Sequence, residues 1–526
     1  MKLRMNSAPD ASLPPARPAA PAVDLLVVGG GINGTGIARD AAGRGLSVIL
    51  CEKDDLGQGT SSRSSRLIHG GLRYLEHGEL RLVREALRER ETLMRIAPHL
   101  VRPLRFVLPH VPRMRPVWML RLGLFLYDHL AHRGQLPGSR ALWLDSAPEG
   151  GAVRPQIRRG FVYSDCRTDD ARLVVHNAMG AREVGARILT RHELIAARDR
   201  DGHWQAQLRD SQRGTVMDIT ARALVNAAGP WVDTLAGRLT PSGTPRRVRL
   251  IKGSHIVVPR FWNGDHGFLL QNTDRRVVFV TPYEPGYALV GTTDVEYCGP
   301  PEAVAVSAEE TDYLCTAVNR QLRCALTAAD VVHSYAGVRA LVDDSQGDPA
   351  AVTRDYVLDL AGVSPNAAAR QTQAAAPLLS VLGGKITTFR CLAEQALDLL
   401  RPIFPQMGPA WTAHRPLPGG DLEGADARQA QAKFLAQASF LPAEHALGLF
   451  DRHGSRAGDI LAGSRKLADL GRHFGAGFYE QEAHHFFMRE WAISSEDVLW
   501  RRSKFGLRLS TEQQAQFAQW INSLAN

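Results

Sequence analysis

The sequence has few cysteines and no long apolar run among its 526 residues. The six cysteines are widely scattered, with no C-x-x-C pair and no Cys/His cluster that has the spacing of a zinc site. We therefore expect free thiols, a reducing compartment and no bound metal. No stretch reaches the roughly 18–20 consecutive apolar residues that a bilayer-spanning helix requires.

Residues 1–22 also lack the apolar core of a signal peptide, and they are rich in proline and alanine. We expect a disordered tail in this range. The alternative is a weak transit peptide, which the sparse serines and the acidic Asp10 disfavour.

The charge balance is basic, with a formal net charge of +9 and a pI of about 9.4. Such a balance is compatible with nucleic acid, an anionic membrane surface or an anionic substrate, and charge alone does not choose between them. A hydrophobic content of 44% and a charged content of 22% are typical of a globular protein. The length suggests roughly two to four domains.

Residues 23–53 have the pattern of a dinucleotide-binding strand, loop, helix and second strand. An apolar run at 23–28 leads into Gly29, Gly31 and Gly34, which fit G-x-G-x-x-G, and a helix is expected at 33–45. The second apolar run ends in Glu52, 18 residues after Gly34, close to the spacing of a ribose-binding carboxylate. A carboxylate there disfavours NADP, but it does not separate FAD from NAD.

The remaining pattern predicts a second sheet and a helical end. An amphipathic helix is expected at about 78–96, and β-branched alternating runs at 246–258, 276–280 and 287–293 predict strands of a substrate-side sheet. Residues 415–420 (RPLPGG) have the composition of a linker, and the chain after them is helix-like.

Several further motifs carry a family resemblance. They are GTSSRSSRLIHGGLRYLE at 59–76, YSDC at 163–166, DDARL at 169–173, NAAGPWV at 226–232, IKGSHIVVP at 251–259, GTTDVEY at 291–297, GVR at 337–339, TRDY at 353–356 and GGKITT at 383–388. In this order they closely resemble FAD-dependent (respiratory) glycerol-3-phosphate dehydrogenases, a family within the D-amino-acid-oxidase-like flavoproteins. The resemblance extends from about residue 23 to 520.

The resemblance implies an α/β Rossmann-like FAD-binding domain, an α+β substrate domain with a mostly antiparallel sheet, and an all-α C-terminal domain. We expect the FAD-binding domain at 23–100, 151–235 and 331–410, and the substrate domain at 101–150 and 236–330. The helical C-terminal domain is expected at 415–526.

FAD is the implied cofactor, and the resemblance places a set of residues around it. The implied FAD-binding residues are Gly29, Gly31, Gly34, Glu52, Thr60, Ser61, Ser65, Leu67, Ile68, His69, Gly70, Gly71, Gly229, Trp231, Gly384 and Thr387. Hydroxyl groups at 60–65 suit hydrogen bonds to the pyrophosphate and ribitol.

The implied reaction oxidises sn-glycerol 3-phosphate to dihydroxyacetone phosphate, with hydride transfer to the flavin and electron transfer to quinone. A phosphate dianion needs cations, for which arginine is suited by its planar fork of donors. The implied substrate-binding residues are Arg73, Tyr74, His255, Arg339, Arg354 and Lys385, of which His255, Arg339 and Lys385 are the catalytic candidates. We expect His255 to be the base, with Lys385 or a bound water as the alternatives.

Residues 102–133 hold six arginines against Asp128 alone, around an apolar block with Trp118 and Phe125. We expect an interfacial helix on anionic lipid, and the alternative is a buried helix with basic flanks. The resemblance implies peripheral attachment to the inner face of the cytoplasmic membrane, and it allows a homodimer. Nucleic acid is not an expected partner, because the aromatic residues of this segment form a single apolar block.

Three other functions remain open at this point. A glycerol-phosphate oxidase would carry out the same half-reaction with oxygen as the acceptor. An amino-acid or amine oxidase of the same fold would bind a carboxylate. A non-catalytic flavoprotein scaffold would use the helical end to hold a partner.

Overall fold

A computed structural model describes residues 22–111, 114–239, 248–274, 276–291, 294–342, 355–362, 375–422 and 426–525. Arg354 and residues 1–21 of the predicted tail lie outside the described residues.

Twenty strands occur among the described residues. They are β1 (Ala22–Val28), β2 (Val48–Glu52), β3 (Leu67–Ile68), β4 (Val101–Pro109), β5 (Arg140–Trp143), β6 (Arg159–Thr168), β7 (Arg187–Thr190), β8 (His192–Arg200), β9 (His203–Asp210), β10 (Val216–Asn226), β11 (Val248–Pro259), β12 (Gly267–Gln271), β13 (Val277–Pro282), β14 (Tyr287–Gly291), β15 (Val295–Glu296), β16 (His333–Val342), β17 (Val357–Ala361), β18 (Leu378–Leu382), β19 (His473–Gly475) and β20 (Phe478–Tyr479).

The α-helices of the same described ranges are α1 (Ile32–Gly43), α2 (Leu80–Ile96), α3 (Val117–His129), α4 (Asp170–Glu183), α5 (Val232–Leu239), α6 (Ala308–Gln321), α7 (Phe389–Leu400), α8 (Ala427–Gln437), α9 (Ala443–His453), α10 (Ala457–Ile460), α11 (Glu480–Glu490) and α12 (Thr511–Ala525). None of them is long and apolar enough to cross a membrane.

The first sheet holds the predicted dinucleotide unit. Its main order is β17-β18-β10-β1-β2-β7, and the neighbours from β18 to β7 run parallel. Parallel strands are buried on both faces, which explains why β1 and β2 are almost entirely apolar. Helices α1, α4 and α7 contribute to the core cluster beside these strands.

The second sheet carries the substrate-side strands. Its main order is β15-β11-β14-β13-β12-β4-β6-β3, and its pairs are antiparallel except for β12 with β4. The strands predicted at 246–258, 276–280 and 287–293 are confirmed as β11, β13 and β14 over the described residues, and residues 246–247 and 292–293 lie outside them. Helix α6 packs against this sheet and begins with a capping box between Ser307 and Glu310.

Three strands of the second sheet lie in ranges that the sequence assigns to the FAD-binding domain, and one of them is β3 in the range 23–100. The ranges 151–235 and 331–410 are assigned by the sequence to the FAD-binding domain, yet β6 and β16 inside them belong to the second sheet. The reason is their long antiparallel pairing, of β6 with β4 and of β16 with β11.

The segment 102–133 is not the single interfacial helix that its composition predicts. Its first part is strand β4 of the second sheet, and the helix begins at Val117 and ends at His129. Several of its arginines are also bound within the protein, because Arg102 pairs with Asp451, Arg115 with Glu76 and Arg133 with Asp128. The apolar part of the prediction stands, since α3 exposes a row of large apolar side chains: Trp118, Met119, Leu122 and Phe125.

The C-terminal region is helical, as predicted, apart from the short hairpin of β19 and β20. Buried ion pairs join this region to the rest of the chain. Arg172 of α4 pairs with Glu490 of α11, and Asp55 after β2 pairs with Arg501 and Arg502. Removing one partner of such a pair would leave an uncompensated buried charge, so these contacts fix the two regions against each other.

Candidate active site

One large cavity, of about 1510 Å³, lies between the two sheets. Loops after the carboxyl ends of β1, β2, β10 and β18 line one side of it, where an open parallel sheet is expected to bind its ligand. Strands β12, β13 and β16 and helix α3 line the other side.

The glycine loop after β1 has the close packing that its sequence predicts. Gly29 has a φ of +113°, and a Cβ at Gly34 would lie 1.9 Å from the Gly29 carbonyl oxygen. Only glycine fits at both positions, so α1 begins directly behind the loop with its free N–H groups toward the cavity. The hydroxyl of Ser61 accepts a hydrogen bond from the Ile32 N–H at 3.0 Å.

Glu52 lines the cavity at the end of β2, as predicted. Its carboxylate accepts hydrogen bonds from the backbone N–H groups of Gly30 at 2.6 Å and Asp54 at 2.9 Å. Burial raises the pKa of this carboxyl group, whereas the two backbone donors act to lower it. The acid is therefore held rigidly beside the glycine loop.

Most of the other predicted cofactor residues reach the cavity. Those that line it are Gly29, Gly31, Glu52, Thr60, Ser61, Ser65, Leu67, His69, Gly71, Gly229, Trp231, Gly384 and Thr387. Gly34, Ile68 and Gly70 do not line it. Gly70 instead donates its N–H to the Tyr127 hydroxyl at 2.8 Å and packs against Leu87.

Asn33 is a cavity residue that the sequence reasoning missed. Its side-chain NH₂ donates to the Gly383 carbonyl at 3.1 Å, which joins the first glycine loop to the second across 350 residues. Its Oδ1 is buried and has no hydrogen-bond partner among the described residues. A buried acceptor without a partner in a cavity wall is suited to a bound ligand that donates hydrogen bonds.

A group of cations lies in the cavity beside His69. Arg339 donates to Asp294 at 2.6 Å, and Arg73 donates to the other oxygen of Asp294 at 3.5 Å. The ammonium group of Lys385 lies 3.7 Å from the centre of the Tyr74 ring. Asp294 lies within the 291–297 motif, but the pattern alone gives no sign that it joins two arginines.

These cations act on His69. Burial, together with the charges of Lys385 and Arg339, lowers the pKa of its imidazole to about 4. His69 is therefore neutral at physiological pH, and positive potential is concentrated at this end of the cavity.

His255 does not line the cavity. It is 1% exposed, its Nε2 lies 2.9 Å from the Ser65 hydroxyl oxygen, and its ring stacks on Tyr335. Burial and then Arg339 lower its pKa to about 3. Ser65 itself lines the cavity, so its hydroxyl joins the imidazole to the cavity, and a direct contact between His255 and a substrate stays a prediction.

Among the described residues, one trio of side chains has the spacing of a metal site: His453, His485 and Glu490 in the C-terminal region. Arg172 donates to both carboxylate oxygens of Glu490. A guanidinium in that position would repel a metal cation, so we assign no metal there.

Comparisons with known proteins agree with this geometry. Residues 24–364 match the family described as FAD dependent oxidoreductase, and residues 410–525 match the C-terminal domain of alpha-glycerophosphate oxidase. The glycerol-3-phosphate dehydrogenase of Pseudomonas aeruginosa is 52% identical over 511 residues, covering 97% of each chain. The D-erythritol 1-phosphate dehydrogenase of Brucella abortus is 52% identical over 500 residues, covering 95% of this chain and 98% of the relative.

The solved structure of the Bacillus halodurans glycerol-3-phosphate dehydrogenase, complexed with FAD, aligns with a TM-score of 0.71. It is 26% identical and covers 95% of this chain and 94% of that chain. The glycine loop, Glu52 and the unpartnered Asn33 oxygen fit the same cofactor. The chain therefore belongs to the FAD-dependent glycerol-3-phosphate dehydrogenase family, within the D-amino-acid-oxidase-like flavoproteins, and its cofactor is FAD.

Proposed function

We propose that this enzyme oxidises the secondary alcohol of sn-glycerol 3-phosphate to the ketone of dihydroxyacetone phosphate and passes the electrons to a membrane quinone. The observation that carries the proposal is the cluster of Arg73, Arg339 and Lys385 in the cavity. With Asp294 between the arginines, three cations and one carboxylate leave two positive charges, which match a phosphate dianion. A single carboxylate, as in an amino acid, would leave this cluster with excess positive charge.

The proposed roles follow from these positions. Arg73 and Arg339 bind the phosphate, and Tyr74 donates a hydrogen bond to the substrate. Lys385 stabilises the negative charge that grows on the alcohol oxygen as the C–H bond breaks. FAD, when bound, accepts the hydride. Arg354 stays a predicted phosphate ligand, because it lies outside the described residues.

The alcohol proton needs an acceptor, and we assign it to His255 acting through Ser65. The Ser65 hydroxyl lines the cavity and lies 2.9 Å from the His255 Nε2. A proton leaving the substrate oxygen would pass to Ser65 as Ser65 passes its own proton to the neutral imidazole. The lowered pKa of His255 keeps the imidazole neutral before the reaction.

A second substrate is favoured by one specific observation. The Brucella relative that is 52% identical is named for D-erythritol 1-phosphate, which also carries a terminal phosphate and a neighbouring secondary alcohol. The same arginine cluster would bind the phosphate group of either substrate. The ratio of the two kcat/KM values therefore identifies the preferred substrate.

The apolar side of the cavity is the proposed entrance for the quinone. Leu108, Trp118, Met119, Leu122 and Leu126 line it. Trp118 and Leu122 are also exposed on the outer face of α3, together with Phe125. A helix with such a face binds in the interfacial plane of a bilayer, so α3 would attach the protein to the inner face of the cytoplasmic membrane. A homodimer stays a prediction.

The test is steady-state turnover of the FAD-loaded protein with each phosphorylated polyol, using a quinone analogue or oxygen as acceptor. We expect the highest kcat/KM with glycerol 3-phosphate and quinone. Faster turnover of D-erythritol 1-phosphate would reassign the substrate. Fast reoxidation by oxygen, with none by the quinone analogue, would establish an oxidase instead.

A further inference from the structure

A row of aromatic rings joins the C-terminal region to the wall of the FAD cavity. Trp500 lies in the π-helical turn Asp497–Arg502, and its ring stacks on His333 with centroids 4.0 Å apart and 13° between the planes. His333 and Tyr335 lie two residues apart on β16, with ring centroids separated by 6.2 Å. Tyr335 in turn stacks on His255 at 4.9 Å and 19°. We call these four side chains the ring ladder.

The ring ladder ends on two adjacent residues of the cavity wall. The His255 Nε2 lies 2.9 Å from the Ser65 hydroxyl, and the Tyr335 hydroxyl donates to the Ser64 carbonyl at 2.9 Å. Both Ser64 and Ser65 line the cavity. A displacement of Trp500 would therefore reach the cavity wall through packed rings and two hydrogen bonds.

A chain of charges runs between the same two regions. Lys504, directly after the π-helical turn, lies 3.3 Å from Asp169, and Asp169 pairs with Arg66. The neighbouring Asp170 accepts hydrogen bonds from the Ser64 N–H at 3.1 Å and the Ser64 hydroxyl at 2.8 Å. Arg66, Asp170 and Lys504 are buried and Asp169 is half-buried, so the ion pairs are only weakly screened by water.

The backbone at Arg66 has an unfavourable conformation that its surroundings must stabilise. Arg66 has a φ of 56°, in the left-handed region that disfavours a residue with a long side chain. Such a conformation persists only where the surrounding structure imposes it. Asp169 and Asp170 at the start of α4 hold the Arg66 side chain, and Lys504 holds Asp169.

We propose that Trp500 and Lys504 are positioning residues of the flavin site: residues 497–507 hold the turn 64–66 in place, so that the Ser65 hydroxyl faces FAD. The inference rests on the predicted contact of Ser65 with FAD, which the family resemblance implies, at a cavity that Ser65 lines. It assigns to the C-terminal region a role in organising the cofactor site from outside residues 24–364. Neither Trp500 nor Lys504 lines the cavity, so both act through other residues.

The test compares Trp500→Leu with Trp520→Leu as the matched control. Both tryptophans are half-buried in the C-terminal region, but the Trp520 ring packs on Phe474 and Phe517 within that region. Three quantities are measured on each protein: the FAD dissociation constant, the visible circular dichroism of the bound flavin, and the unfolding temperature. None of them requires a substrate, so their outcome is independent of whether glycerol 3-phosphate is the substrate.

We expect Trp500→Leu to raise the FAD dissociation constant about tenfold and to change the flavin dichroism, as a loss of preorganisation would. Trp500→Phe keeps a stacking ring and should stay within about twofold of the parent. Trp520→Leu should lower the unfolding temperature while its flavin values stay within about twofold of the parent. Equal effects of the two leucine variants on FAD binding, or none from Trp500→Leu, would overturn the proposal.

Two further variants apply if Trp500→Leu does not fold. Tyr335→Phe removes only the hydroxyl that binds the Ser64 carbonyl, and Lys504→Met removes only the charge beside Asp169. We expect each to raise the FAD dissociation constant by about threefold or more, since each removes one contact of the turn. Unchanged FAD binding and dichroism in both would equally overturn the proposal.

Discussion

At the scale of single residues, the function depends on how charges are shared in the cavity. Asp294 holds Arg73 and Arg339 close to each other before a substrate arrives. Two guanidinium groups that are already positioned lose little side-chain freedom when they bind a phosphate, which favours affinity. The carboxylate also moderates the repulsion between the two arginines.

Arg339→Ala should raise the KM for glycerol 3-phosphate roughly tenfold to a hundredfold, because hydrogen bonds to charged groups contribute about 1.5–3 kcal/mol. FAD content should be unchanged. Arg339→Lys is the matched control, since it keeps the charge and loses the planar fork, and we expect an intermediate KM. An unaltered KM in both variants would remove Arg339 from the phosphate site.

His255→Gln should lower kcat about tenfold while the shape of the pH–rate profile between pH 5 and 8 stays the same. The reason is that the pKa of His255 is lowered to about 3, so the imidazole is already neutral throughout this range. His266→Gln, a buried histidine that does not line the cavity, is the control. An acid limb near pH 6.5 that disappears in His255→Gln would contradict this assignment.

At the scale of elements, α3 connects the cavity to the solvent-exposed surface. Its buried face, with Leu120, Leu124 and Tyr127, packs on the second sheet, and its outer face exposes Trp118 and Phe125. The same helix therefore lines the cavity and presents an apolar surface to the outside. That arrangement suits an electron acceptor that is dissolved in a bilayer.

Phe125→Ser should weaken binding to vesicles of anionic lipid by about fivefold or more, because the variant buries less apolar area in the lipid interface. Phe125 is 57% exposed and does not line the cavity, so turnover with a water-soluble acceptor should be retained. Met488→Ser, at a side chain that is 69% exposed on α11, is the control and should leave vesicle binding unchanged. Equal loss in both variants, or none in either, would contradict the role of α3.

Several elements could be predicted because their signal is local. The glycine loop and Glu52 follow from one strand–helix–strand unit, and the contact of Glu52 with the Gly30 N–H lies within that unit. The segment 102–133 could not be predicted in this way. In the sequence its arginines indicate a basic helix. In the structure β4 pairs with β6, and acids from distant elements, such as Glu76 and Asp451, form ion pairs with two of these arginines.

The same limit applies to the candidate site. Asp294 and Asn33 contact residues that are far away in the chain. The residues next to them in sequence do not predict these partners. His255 lies in a motif that the resemblance recognises, but its contact with Ser65 depends on the pairing of β11 with β16 and on the turn 64–66.

At the scale of the whole molecule, stability depends on neutral histidines. Burial lowers the pKa of eight imidazoles among the described residues. The pKa falls to about 4 for His69, His176 and His333 and to about 3 for His255 and His453, and it also lies below its usual value for His99, His266 and His445. In the unfolded chain these groups titrate at about 6.5. The unfolded state therefore binds more protons between about pH 6.5 and 4, and folding stability is lost as the pH falls through that window.

The unfolding temperature of the FAD-saturated protein should accordingly decrease steadily from pH 7 to pH 5. Five carboxyl groups of the described residues oppose the trend, because burial raises the pKa of each and the folded protein then binds their protons at a higher pH than the unfolded chain does. They are Asp165, whose pKa rises to about 6, and Asp40, Glu52, Glu85 and Asp170. The imidazoles outweigh these carboxyl groups, because unfolded imidazoles titrate at about 6.5, inside the range from pH 7 to 5, whereas unfolded carboxyl groups titrate at about 4. We therefore expect a net decrease. An unfolding temperature that stays constant or rises on acidification would contradict the burial of these histidines.

Substrate oxidation by the bound flavin is the central claim, and anaerobic titration with glycerol 3-phosphate tests it most directly. We predict that the visible absorbance band of FAD bleaches completely in the parent protein, and that Arg339→Ala reaches the same end point only at a concentration roughly tenfold higher or more. Bleaching by an amino acid but not by glycerol 3-phosphate, or no bleaching by any phosphorylated polyol, would contradict the proposed function.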